Sequence, residues 1–480
     1  MRRLALPVAV ALTIAGTLAV WTGSRPLPPP LKGKQPLTVL VQPGPLTYDQ
    51  SDPASPSGLE YDLIELFADE LDVEVQYLTT SPHRMAKDFS AAKVHLAAAW
   101  LTPGMLPGSL YSPPFLRSND LLVQHEASLP IDAASELAER QLHVLAGSRQ
   151  AMTARGLKEK FPNIDLIEHA GMLPSTLLEA VASGRFELAI VDEAFHDVAL
   201  QFAPALQATL KFPPQPITWA FPEGTDPQLI AKAEAFLKRL PDDPVFARLK
   251  DRYFGHIRRL DIEDISKLLE RSRTILPKLK PYFVAAQIET GFDWRLLAAL
   301  AYQESQWEAH ATSPTGVRGI MMLTAETADR LNVSNRLDPE ESIRAGARYL
   351  DILRSQIPES TPEPDRTWQA MAAYNIGPGH FNAARTIGRQ RKADVDSWLV
   401  MKGVLPLLAR PEIYERLKSG RARGGEAVIL VENVRSFYDI LSRQEAPYRP
   451  LNIAKTETPA KAKGAKPKAK ASNPGIKKPG

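Results

Sequence analysis

Glu304 stands at helical spacing from Leu297, Leu300 and Ala301, with Trp307 three positions further on, so a carboxyl group falls on an apolar stripe. A carboxylate in that setting is poorly solvated, and loss of water favours its protonated form. An acid that keeps its proton near neutral pH can protonate a bridging oxygen, the task of a general acid in glycosidic bond cleavage. A lone Glu-Ser pair on a helix is more often a plain surface charge. Two further segments change its weight: Gly316-Val-Arg-Gly319-Ile-Met321-Met322-Leu323, and Ala373-Tyr374-Asn375 ahead of Gly377-Pro-Gly379. The glycines suit a tight loop beside the acid. Tyr374 and Asn375 fall at a helix end, where side chains can project into a cleft. Glu326, Asp329 and Glu341 read as ordinary helix charges, which leaves one strong carboxylate candidate.

The elements that must position these residues are legible nearby. Asp293 suits the N-cap of the Glu304 helix, with Gly291 breaking the chain before it. Asp338-Pro339-Glu340-Glu341 combines an N-cap, a first-turn proline and a third-position Glu, a capping-box arrangement. From residue 260 onward the pattern is helical, so a mostly α domain is expected over 259–450. Residues 36–255 instead alternate short β-like runs (37–41, 73–78, 94–100, 143–145, 188–191) with helical patterns such as 61–71. That alternation predicts parallel sheet covered by helices over 31–258. Two lobes are expected, with a break near 127–137 and a return near Pro216.

Composition narrows the remaining classes. At 480 residues the chain exceeds one ordinary core. It has no cysteine, which excludes disulfides, thiolate metal sites and a lipidated Cys. No two histidines lie closer than twelve residues (His83 and His95), so no short-range His ligand pair exists; neither a metal site nor a cofactor is expected. The net charge of +3 is uneven: residues 454–480 hold eight Lys and one Glu, or +7, leaving about −4 for the rest. A mildly acidic body argues against nucleic-acid binding. Residues 451–480, rich in Lys, Ala and Pro, are expected to be a disordered tail. Residues 1–30 carry a basic start, an apolar run and a Pro-rich spacer, the shape of an export signal or a marginal membrane anchor.

Glu304-Ser305, Gly319-Ile-Met-Met322 and Ala373-Tyr-Asn375 together resemble the family-1 lytic transglycosylases over residues 270–450. Residues 302–307, 312–319 and 423–433 are similar to a membrane-bound subgroup of them. The resemblance implies a lysozyme-like helical domain and cleavage between N-acetylmuramic acid and N-acetylglucosamine in peptidoglycan strands. Glu304 would be the catalytic acid and then the base, and the product a 1,6-anhydro ring. It also implies substrate contacts from Ser305, Met321, Met322, Tyr374 and Asn375. Met322 stands where the wider family has Gln, and Arg421 where a Tyr near the sugar is expected. A hydrolytic muramidase, and a sensor that only holds wall fragments, remain alternative readings.

Gly58-Leu-Glu-Tyr-Asp62, Tyr111-Ser-Pro-Pro114, residues 184–192 and Arg252-Tyr-Phe-Gly255 resemble, in order, the periplasmic solute-binding proteins of family 3. In that family an Arg clamps the ligand carboxylate, but residues 101–107 here contain none, and neither Arg117 nor Arg149 fills that slot. Free amino-acid binding is therefore not expected. Asp192 is the candidate ligand contact, as an amine partner, or else caps the next helix. A muropeptide is the expected ligand, and the resemblance places the protein in the periplasm on the inner leaflet of the outer membrane. Inner-membrane anchoring through residues 1–30 is the alternative.

Overall fold

The computed structural model describes residues 35–449 except 92, 258, 259, 315 and 419. The expected export segment and basic tail lie outside the described residues. Among the described residues eleven strands occupy the N-terminal part: β1 (Leu37–Val41), β2 (Val75–Thr79), β3 (Leu96–Leu101), β4 (Ser109–Tyr111), β5 (Leu116–Ser118), β6 (Asp120–His125), β7 (Gln141–Leu145), β8 (Asp165–His169), β9 (Leu188–Asp192), β10 (Leu206–Lys211) and β11 (Gln215–Pro222). They form two sheets, ordered β2-β1-β3-β11-β4 with β5 also on β11, and β10-β6-β9-β7-β8. Helices α1 (Leu59–Leu71), α2 (Met85–Ala91), α3 (Arg149–Lys160), α4 (Pro174–Ala182), α5 (Glu193–Leu200), α6 (Pro227–Arg239) and α7 (Pro244–Phe254) cover them.

The sheets are mixed, not purely parallel. β1 runs parallel to β2 and β3, and β7 parallel to β8 and β9, whereas β11 and β6 pair antiparallel with their neighbours. The reason is topological: β6 and β11 are the strands that carry the chain between lobes. The crossing itself comes earlier than the 127–137 expected from sequence. β5 ends at Ser118 in the first sheet and β6 starts at Asp120 in the second. The polar loop after β6 marks a turn within the second lobe, not the boundary. The return near Pro216 coincides with β11, which pairs with β3. β3 is buried along its whole length, as a central strand covered on both faces must be. α1 seats Leu63 and Phe67 in the first core, with the Phe67 ring 5.6 Å from Trp219 and 5.4 Å from Phe236. Each such buried side chain contributes about 1.5–3 kcal/mol.

The rest is helical: α8 (Ile262–Thr274), α9 (Leu276–Thr290), α10 (Trp294–Ser305), α11 (Ala325–Arg330), α12 (Pro339–Ser355), α13 (Asp365–Ile376), α14 (Pro378–Gln390), α15 (Trp398–Val404), α16 (Pro411–Tyr414) and α17 (Gly424–Gln444). α10 is the central helix, buried from Trp294 to Tyr302 and packed on α9 and α17. α7 fastens this part to the first. Asp251 of α7 accepts from Lys402 of α15 and, at 3.1 Å, from Arg435 of α17. Ser436 donates to the His256 carbonyl at 2.9 Å, and the His256 ring meets Asp439 at 2.6 Å.

Candidate active site

The Asp293 carboxylate caps α10 by accepting from the Arg295 backbone N–H at 2.8 Å, as its sequence position predicts. The helix ends at Ser305 because Gln306 and Trp307 take left-handed backbone angles, φ 52° and 63°. Trp307 therefore does not continue the helical stripe, as its spacing suggested. It folds back, and its indole N–H donates to the Ala298 carbonyl at 2.8 Å. That return clamps the last turn, which carries Glu304.

Glu304 makes no ion pair or hydrogen bond among the described residues, and it is only partly covered. Desolvation raises its pKa from the ordinary 4.5 to about 8. Its place in the last helical turn, where carbonyl dipoles converge, disfavours the carboxylate further. The carboxyl group is thus protonated at neutral pH and open to a partner.

The loop of residues 312–323 lies against it. Gly316 and Gly319 both take φ 82°. A Cβ on Gly319 would sit 1.8 Å from the Arg336 carbonyl oxygen, so only glycine fits. Ser305 donates to the Ile320 carbonyl at 2.8 Å, tying the loop to α10. Its hydroxyl is thereby directed at the loop backbone and not at Glu304. Tyr374, near the end of α13, donates from its hydroxyl to the Met321 carbonyl at 2.7 Å. Burial, and next the Glu304 charge, push the Tyr374 phenol well above its ordinary value, so the two groups are neighbours. The three segments singled out in the sequence therefore converge.

Their side chains divide in use. Met321 is 0% exposed and packs on Gly346, so the contact expected from it is replaced by a core role. Its backbone N–H donates to the buried Ser342 hydroxyl at 3.2 Å, and its carbonyl is the group that Tyr374 holds. Met322 is half-buried at φ 47°, an unusual conformation for a long side chain, and remains reachable. Asn375 is exposed beside Gly377. Sequence reasoning missed Arg336, whose guanidinium donates to the carbonyls of Gly316 and Leu323 at 3.1 and 2.9 Å. A charged residue just ahead of the Asp338 cap gave no signal of that task.

A model of the transglycosylase SLT domain matches residues 281–397, and one of the bacterial extracellular solute-binding proteins, family 3, matches residues 37–256. The membrane-bound lytic murein transglycosylase F of Methylobacillus flagellatus is 39% identical over 434 residues, 89% of this chain and 92% of its own. That of Thiobacillus denitrificans is 38% identical over 445 residues, covering 92% and 94%. The chain belongs to the membrane-bound lytic murein transglycosylase F family. Among solved structures, an ancestral arginine-binding protein bound to arginine covers 46% of this chain and 98% of its own, at 17% identity and a TM-score of 0.42.

In this member of the membrane-bound lytic murein transglycosylase F family, Asp192 both caps α5 and lines the cleft between the two sheets. Its oxygens accept from Trp100 Nε1 at 2.9 Å, Ser118 at 2.9 Å, Ala194 N–H at 2.8 Å and Arg149 at 2.5 Å. Burial raises its pKa and the Arg149 charge opposes that. An Asp so engaged is directed at its own neighbours and not at a ligand amine. Arg149 also pairs with Asp120 at 2.7 Å. The cleft encloses only about 50 Å³, and Trp100 bridges it from the first lobe to Asp192 on the second. A Cβ on Gly147 would sit 2.5 Å from the Pro82 carbonyl oxygen across the same gap. Among the described residues no cluster suits a metal ion, and no helix is long and apolar enough to cross a membrane. His143 and His169 do meet, at 2.9 Å, although 26 residues apart.

Proposed function

We propose that the chain cleaves the β-1,4 bond between N-acetylmuramic acid and N-acetylglucosamine in peptidoglycan, with formation of 1,6-anhydro ends. The supporting observation is the unpartnered Glu304 carboxyl, raised to about 8 beside Tyr374 and the 312–323 loop. Glu304 donates its proton to the bridging oxygen as the C1–O bond breaks. The carboxylate left behind takes the proton of the muramyl C6 hydroxyl, and O6 bonds to C1. No water enters. Tyr374 and Ser305 hold the loop in place through Met321 and Ile320, while Met322 and Asn375 are the side chains left to contact sugar. Hydrolysis by two carboxylates is the second reading, but Glu341 is engaged with Ser334 at 2.6 Å. Glu304→Gln is expected to abolish cleavage of purified peptidoglycan while the circular dichroism stays that of the parent and the Tm is not lowered. Retained cleavage in a folded Glu304→Gln protein removes Glu304 as the acid.

The N-terminal part serves regulation in this reading. It senses a muropeptide when its lobes part and the Trp100–Asp192 contact opens, and passes that lobe motion through α7 to α17, by way of Asp251 and Arg435. Wall peptides added to the full chain are expected to change turnover; an unchanged rate ends that proposal. The site of action is the periplasm, on the inner leaflet of the outer membrane, which fractionation of cells tests.

A further inference from the structure

β3 carries an anomaly near its end. Trp100 takes φ 57°, and among the described residues it is the one non-glycine residue inside a strand with a left-handed backbone. For a bulky side chain that conformation is strained and persists only where its surroundings enforce it. The enforcing group is Glu60 of α1, whose Oε2 accepts from the Trp100 backbone N–H at 2.8 Å. Glu60 is 0% exposed, and its Oε1 is buried without a hydrogen-bond partner. Burial raises its pKa to about 8, so the carboxyl stays neutral at neutral pH. Buried polar atoms are nearly always satisfied, so the orphan oxygen is a second local cost. A strained backbone and an unsatisfied group thus meet at one contact.

What that contact achieves lies across the cleft. From this backbone the Trp100 indole reaches the second lobe, where its Nε1 donates to Asp192 Oδ2 at 2.9 Å. The ring stands edge-on to Phe195 of α5, with centroids 5.4 Å apart, and to Phe115 of the first lobe at 6.4 Å. Trp100 is 7% exposed, so the bond to Asp192 is shielded from water and strengthened by it. At the rim, the exposed His83 of the first lobe accepts from the Gly171 N–H of the second at 3.0 Å. An indole N–H is a donor only. It serves the Asp192 carboxylate as the N–H of a bound molecule would, and the lobes close on the chain's own side chain.

We propose that Trp100 is a built-in substitute for a ligand that holds the two lobes shut in the free chain, and that Glu60 sets it in place. A donor that displaces the indole from Asp192 frees Trp100 to relax to an extended backbone, so the strain favours opening once the contact is lost. The latch extends the regulatory role proposed for this part without depending on it, because its readout is lobe separation and not cleavage. The chain has no cysteine, so Lys87→Cys and Met152→Cys, both at exposed positions and one on each lobe, place a single pair of spin labels. Pulsed electron spin resonance on the full chain then measures the distance between them. One short distance is expected in the otherwise unchanged chain. Trp100→Phe keeps an aromatic ring but lacks the N–H, and should move the main population to a longer distance. Glu60→Leu removes the acceptor and should do the same. Glu60→Gln, whose carbonyl still accepts from the Trp100 N–H, should keep the short distance. Circular dichroism reports folding, and where Glu60→Leu does not fold, Trp100→Phe decides. An unchanged distance in folded Trp100→Phe or folded Glu60→Leu, or a lengthened one in Glu60→Gln, would each overturn the proposal.

Discussion

At the scale of single residues, the account turns on where Glu304 keeps its proton. A general acid must be protonated in the free enzyme, so kcat/KM is expected to fall on the alkaline side with an apparent pKa near 8. An alkaline limb near the ordinary 4.5 would mean that the carboxyl is solvated. The same shift has a stability consequence. A raised carboxyl pKa favours the folded state at low pH, and that advantage is lost as pH climbs from about 4.5 through about 8. Glu304→Gln should therefore gain Tm relative to the parent across that window, by an amount that levels off above it. Tyr374→Phe leaves the Met321 carbonyl without its donor, at about 1–3 kcal/mol, visible as a lower Tm together with slower cleavage. Glu304, Tyr374 and the loop glycines were legible because their residue types leave few uses at that spacing. Met321 was not, since a methionine fits a groove or a core equally well, and Gly346 decides for the core. Trp307 misled because helical spacing presumes a helix that the chain leaves at Gln306.

Elements set how well those residues are held. Among the described residues the 312–323 loop has two isolated bridges, Thr312 to Arg318 and Arg318 to Leu323, and turn hydrogen bonds such as Gly319 N–H to the Ala311 carbonyl at 2.9 Å, while side chains tie it to α10, α13 and Arg336. Gly319→Ala would drive a methyl into the Arg336 carbonyl at a left-handed backbone position, and the loop must shift. A loss of about 1–3 kcal/mol is expected from the strain, with activity falling further than Tm does. Activity unchanged in that variant would mean the loop does not shape the site. Helix caps were readable one by one: Asp293 and Asp338 accept from the backbone N–H two and three residues on. Glu341 departs from the full capping box. Its carboxylate bonds Ser334 instead of returning to the cap residue. The mixed direction of the sheets was hidden, because a buried strand reads the same in either direction.

At the scale of the whole molecule, α7 and α17 join the two folds through buried charge. Glu432 accepts from Trp398 Nε1 at 2.7 Å and from Arg435 at 2.8 Å, while Arg435 also reaches Asp251. Arg435→Met would leave Lys402 as the cation shared by Glu432 and Asp251. Removing one partner of a buried ionic group costs about 3–5 kcal/mol, so Tm should drop by several degrees. An unchanged Tm would show that the two folds do not depend on this contact. The order of the folds was legible from motif order along the chain, whereas their joint was not, because its partners lie some 180 residues apart. The central claim is that Glu304 moves one proton out and back with no water consumed. Digestion of peptidoglycan in heavy-oxygen water, read by mass spectrometry, tests it most directly. The account predicts anhydro ends free of the label in the parent and no products in Glu304→Gln. Labelled reducing ends would contradict it.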